Sequence, residues 1–153
     1  MIRNARQYRI TQAQMAKLEQ ALAQVAAGEG QPLHPRLRQA EHDALQSQIV
    51  DLREQLAAYN ALRNHKHPVL SVQSFAELPR ALIQARIAVG ISQKELATRL
   101  GLKEQQIQRY EATDYASASL ARVNAVIRAL GLTVREEIRL PECRGGQSEE
   151  ERL

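Results

Sequence analysis

The stretch SQKELATRLGLKEQQIQRYE, from Ser92 to Glu111, decides the fold. Ser92 can cap a helix, and Glu95, three residues on, completes a capping box in which each side chain satisfies an amide left bare at the helix start. Leu96 and Leu100 then share one face. Gly101 stands where the chain must turn with positive φ, the conformation that costs glycine least. A second short helix carries Ile107 and Tyr110 inward and leaves Glu104, Gln105, Gln108 and Arg109 pointing out. Two helices crossing this tightly leave room only for a small side chain, and Ala97 supplies it. The stretch reads as a helix-turn-helix.

The flanks extend a helical bundle. Upstream, Ser74 with Glu77 can cap a helix whose inner face is Leu78, Leu82, Ala85 and Val89, and Pro79 is tolerable in its first turn. Downstream, Ser117 or Ser119 can start a helix with apolar positions Leu120, Val123, Ile127 and Leu130, which Gly131 ends. Beyond it Leu132, Val134, Ile138 and Leu140 alternate, broken only by Glu136. That is the period of a strand, expected over 132–141 and needing a partner edge. Residues 142–153 read as a disordered acidic tail.

The N-terminal part has a different pattern. Residues 1–10 are a basic arm with Arg3, Arg6 and Arg9. Thr11 and Gln14 form a capping-box pattern, and Met15, Leu18, Leu22 and Val25 follow as one helical stripe. Gly28 to Pro32 breaks that helix. A second helix is expected from about His34–Pro35 to Arg63, with the heptad-spaced stripe Leu45, Ile49, Leu52, Leu56 and Tyr59. Helices of this kind do not hold alone in water. The short turn favours an antiparallel hairpin, and the longer second helix asks for a further partner, which a second copy of the chain would supply. Residues 1–63 are therefore expected to be a helical hairpin for dimerisation or partner binding. Residues 64–73 form the linker, because the residue before Pro68 is pushed out of helical conformation. His65 and His67 have the spacing of a metal pair but no Cys or further His beside them, so no metal site is expected.

The 153 residues allow one ordinary domain or two small ones. With one Phe and no Trp, any core is aliphatic. The net charge is +4, and its distribution is uneven: residues 1–70 hold 9 basic and 6 acidic side chains, 71–131 hold 8 and 5, and 132–153 hold 4 and 6. The two larger parts are thus mildly basic, which suits nucleic acid without proving it. Cys143 is the single cysteine and cannot form an intrachain disulfide, which fits a reducing compartment. The start lacks the apolar core of a signal peptide, and no apolar run approaches the roughly 20 residues of a membrane span. A soluble, cytoplasmic protein is expected.

The positions Gln93, Ala97, Gly101, Leu102, Ile107 and Tyr110 resemble the helix-turn-helix of the XRE family, the Cro/CI-type repressors and their bacterial relatives. The resemblance covers roughly Leu78 to Leu132. With the patterns above, the expected fold is mainly α: the N-terminal hairpin, a Cro/CI-type DNA-binding bundle over 74–131 that the resemblance implies, and the short C-terminal strand. It implies that the second helix, 103–111, enters the major groove of double-stranded DNA and reads bases with Glu104, Gln105, Gln108 and Arg109. Gln93 matches a family glutamine that approaches the phosphate backbone, with Lys94, Lys103 and Thr113 as further backbone candidates. Arg86 and Glu111 match a structural ion pair of the family. Two departures stand out. Lys103 occupies a helix start that commonly holds Ser or Thr, and Thr113 stands where relatives often have Gly.

The resemblance further implies a homodimeric repressor on half-sites about 34 Å apart, acting near its own promoter. The alternative is an antitoxin whose extra segments neutralise a partner toxin. An enzyme is not expected. There is no Ser/His/Asp set, phosphate-cradling glycine loop or four-ligand metal spacing, so no catalytic residue and no cofactor is assigned.

Overall fold

The computed structural model describes residues 1–28, 34–64 and 69–140. The described residues are helical: α1 (Ala5–Ala27), α2 (Pro35–Arg63), α3 (Leu78–Ala88), α4 (Gln93–Arg99), α5 (Glu104–Ala112) and α6 (Leu120–Leu130), with a 3-10 turn at Phe75–Glu77. Of the features read from the sequence, the break from Gly28 to Pro32 beyond Gly28, the His65 and His67 pair, Pro68, Cys143 and the acidic tail lie outside the described residues.

α1 and α2 pack antiparallel along one seam. Tyr8 meets Tyr59 with ring centroids 5.1 Å apart, and Glu19 pairs with Arg53 at 3.2 Å near the middle. The seam is thin. Between them the two helices bury only Ile49 and Leu56, and α1 buries no residue. Along α2 the stripe is buried at Ile49 and Leu56 and half-buried at Leu45, Leu52 and Tyr59, and Tyr59 meets Tyr8 of α1. The far end of α2 continues onto the second unit, where Tyr59 and Leu62 pack against the main core.

That main core belongs to α3–α6. Leu82, Ile83, Leu96, Ala97, Ile107 and Val126 are each at most 2% exposed and come from all four helices. Ala97 sits where α4 and α5 cross, and its carbonyl accepts the Leu102 amide at 2.8 Å. Gly101 makes the turn with φ 65°. Ser92 accepts the Glu95 amide at 3.0 Å, and Ser119 accepts the Arg122 amide at 3.2 Å, so two serine caps start α4 and α6. Gly131 ends α6 in the left-handed conformation, φ 68°.

Three expectations are corrected. No strand is present among the described residues: 132–140 is irregular, so the C-terminal β-strand of the expected fold class is not there. No sheet edge exists among the described residues to pair with it. Only Leu132 packs on the core, while Ile138 and Leu140 are 85% and 84% exposed. Second, α1 begins at Ala5 rather than after Thr11. Asn4 is its cap, accepting the Gln7 amide at 2.9 Å. The basic arm is therefore mostly the first turns of a helix, and Ile2 before it is 4% exposed. Third, Ser74 makes no side-chain cap; Glu77 instead accepts the Gln73 amide at 2.9 Å and stabilises a 3-10 turn ahead of α3.

Candidate nucleic-acid interface

The interface is built on one buried ion pair. Arg86 of α3 is 2% exposed and Glu111, near the end of α5, is 0% exposed. The guanidinium holds the carboxylate with two bonds, Nε to Oε1 at 2.5 Å and Nη2 to Oε2 at 2.8 Å. Its remaining donors reach the Ile91 carbonyl at 2.8 Å and the Arg3 carbonyl at 2.7 Å. A planar fork of donors satisfied in this way fixes α5 against α3, which a flexible ammonium could not do.

The same carboxylate recruits Gln93. Its Nε2 donates to Glu111 Oε2 at 2.8 Å, and its Oε1 accepts from Asn4 Nδ2 at 3.0 Å. Gln93 is accordingly buried, 6% exposed, with both atoms of its side-chain amide engaged by Glu111 and Asn4. A chain of bonds thus runs from the α1 cap through the first residue of α4 to α5 and α3. Sequence reasoning missed Asn4. The available signal was Asn4 followed three residues later by Gln7, the same cap pattern that was read at Thr11 and Gln14.

On this base α5 presents its outer face. Glu104, Gln105, Gln108 and Arg109 are all exposed, while Ile107 among them is fully buried. Gln108 Nε2 donates to Glu104 Oε1 at 3.2 Å, which orients the one carboxylate of the set. Lys103 has no oxygen to offer the first amides of α5. Gln106 compensates by accepting the Lys103 amide at 3.0 Å, and the Lys103 side chain is left in solvent. Lys94 is exposed as well. Thr113 is exposed, but its hydroxyl donates to the carbonyls of Arg109 and Tyr110 at 3.2 and 3.3 Å.

The loop after α5 takes its own course in the absence of a glycine. Asp114 and Tyr115 both have positive φ, 45° and 57°. Asp tolerates this region, whereas Tyr does so only when its surroundings hold it there. Tyr115 is 3% exposed, stacks on Tyr110 at 5.9 Å and donates its amide to the Tyr110 carbonyl at 2.7 Å. Burial pushes the Tyr115 phenol well above its ordinary value, and the nearby Glu111 carboxylate adds to the shift while Arg86 opposes it. Asp114 turns outward to pair with Arg3 at 3.1 Å.

Residues 82–136 match the helix-turn-helix family model. This segment is an XRE-type helix-turn-helix domain. The match runs from within α3 past the end of α6 and leaves the hairpin outside it. No curated protein and no solved structure matches the chain. The matched segment supports double-stranded DNA binding and transcription regulation of the XRE kind. Among the described residues, no group of three or more His, Cys, Asp or Glu could hold a metal ion. Nor is any helix there long and apolar enough to cross a membrane.

Proposed function

We propose that this protein is a sequence-specific repressor that binds as a dimer to an operator near its own promoter and blocks polymerase there. One observation carries the reading: the exposed set Glu104, Gln105, Gln108 and Arg109 stands on a helix locked from behind by the Arg86–Glu111 pair. In the major groove, Gln can bond adenine at two points, Arg reads guanine, and Glu accepts from the cytosine amine. Glu104 is repelled by phosphate unless it meets such an amine, so it sharpens choice more than it adds affinity. Lys94 and Lys103 flank the set and supply backbone attraction.

A single unit of this kind contacts few base pairs, so operator choice calls for two. The hairpin supports pairing: its seam buries few side chains, and Ile10, Leu37 and Val50 remain 56%, 59% and 44% exposed along its outer faces. The same exposed faces favour a second reading, in which they bind a toxin that the protein neutralises.

The test is binding to DNA upstream of the protein's own gene against scrambled DNA across a salt series, with Gln105→Ala alongside. The repressor reading expects tight, preferential binding that weakens steeply with salt and loses preference in Gln105→Ala. Equal, feeble binding to both duplexes overturns it.

A further inference from the structure

The hairpin carries basic side chains up to the recognition helix. A cleft opens between the start of α1, the end of α2 and the outer side of α5, and Arg6, Arg9, Arg63, Glu104 and Gln108 all line it. The three arginines are exposed, and among the described residues none has an acidic side chain within pairing distance. Glu104, the exposed acid of this cleft, is turned toward Gln108. Three unpaired guanidinium groups therefore face one carboxylate.

Their placement is held, not incidental. Asn4 bonds Gln93 and the Arg3 carbonyl bonds Arg86, which ties the first turn of α1 to the start of α4. Tyr8 packs against Tyr59 and accepts from Asn60, which ties the same turn to the end of α2. Arg6 and Arg9, three residues apart, share one face of α1. The first turn of α1 holds no acid. Cations are disfavoured there, because the N-terminal end of a helix is itself positive. A local rule broken where an anion could repair it marks a functional site.

When α5 enters the major groove, the phosphate strand beside it runs past the start of α4. Here the start of α4 is bonded to the α1 cap, so that strand is brought to the cleft. We infer that Arg6, Arg9 and Arg63 are phosphate-binding residues, and that the hairpin and the XRE domain form one composite DNA-binding surface. The inference rests on the DNA-binding reading above and extends it to helices outside the family match. Base choice stays with α5; the arginines add affinity and salt dependence without regard to sequence.

The experiment compares four full-length proteins on the upstream duplex and a scrambled one, by fluorescence anisotropy over a salt series: the wild type, Arg6→Ala/Arg9→Ala, Arg36→Ala/Arg38→Ala and Gln105→Ala. The second double variant removes equal charge at the opposite, exposed end of the hairpin. Alanine and arginine are both good helix formers, so α1 persists, and Arg6→Gln/Arg9→Gln repeats the test with polar side chains. The expected result is that Arg6→Ala/Arg9→Ala weakens both duplexes equally, on the order of 10-fold or more, with a salt slope shallower by about two. Arg36→Ala/Arg38→Ala leaves the slope at the wild-type value. Equal behaviour of the two double variants overturns the inference, and so does tighter binding by Arg6→Ala/Arg9→Ala, which would make the hairpin a block on DNA. Wild-type binding to neither duplex overturns this inference and the repressor reading together. Wild-type binding without preference, but with the expected slope change, keeps the inference and overturns the repressor reading alone.

Discussion

Arg86 and Glu111 meet where neither touches water, and the consequence is asymmetric. A buried pair adds little net stability over an apolar pair, but removing one partner strands the other charge at a cost of about 3–5 kcal/mol. Arg86→Ala is therefore expected to lower stability by that order, read as a lower midpoint in urea denaturation; an unchanged midpoint would refute the role. Tyr115 gives a second residue-level prediction. Its phenol titrates higher in the folded chain than its ordinary value of 10.0. Above pH of about 10 the unfolded chain therefore releases this proton while the folded chain keeps it, so stability falls as pH rises. Tyr115→Phe should flatten that alkaline loss in melting temperatures compared with the wild type; identical alkaline slopes would count against it. At this scale the α5 set was legible because outward positions follow from the helical period. Gln93 was legible as a position, but its bond to Glu111 was not. A buried carboxylate whose oxygens already bond one guanidinium still takes a further donor, and only the folded structure shows that Gln93 supplies it.

Helix starts and stops were legible wherever a side chain could speak for them alone. Ser92, Ser119, Gly101 and Gly131 cap or turn their segments locally, and each does so in the structure. Two elements were not legible, for opposite reasons. α1 starts early because its first turns are rewarded from afar, by Tyr59, Asn60 and Gln93, none of which is near in sequence. The expected strand at 132–141 fails because period alone does not make a strand: its backbone groups need an edge, and the described chain offers none. The α1 start yields a prediction. Asn4 caps the helix and also bonds Gln93, so Asn4→Ala removes both bonds. Loss of such a cap costs about 1–2 kcal/mol. Hydrogen exchange should quicken at the amides of Gln7 and its neighbours, with no change in α6. Uniform protection in the variant would show that Asn4 does not hold the helix start.

The whole chain joins a segment that a family match identifies to a hairpin that it leaves out, and the join is the least legible feature. Heptad spacing in α2 asks for a partner without naming it, and a stripe of Leu and Ile looks alike whether another copy or the same chain covers it. In the structure the far end of that helix lies on the XRE domain: Tyr59 and Leu62 pack against the main core. Just before α1, the Arg3 carbonyl accepts from Arg86, and Ile2 beside it is buried. The two parts should therefore unfold as one. Burying a large apolar side chain is worth about 1.5–3 kcal/mol, so a fragment of residues 69–153, which lacks Ile2, Tyr59 and Leu62, should lose several kcal/mol and melt well below the full chain. The hairpin alone, with its thin seam, should be largely unfolded by circular dichroism unless it pairs with a second copy. Scanning calorimetry of the full chain should then show one transition, and its enthalpy should match the van't Hoff value. Two separate transitions, the upper one coinciding with that of the 69–153 fragment, would mean that the hairpin is tethered rather than packed. The arginines of α1 and α2 would then have no fixed position beside the recognition helix, and the composite surface would lose its physical basis.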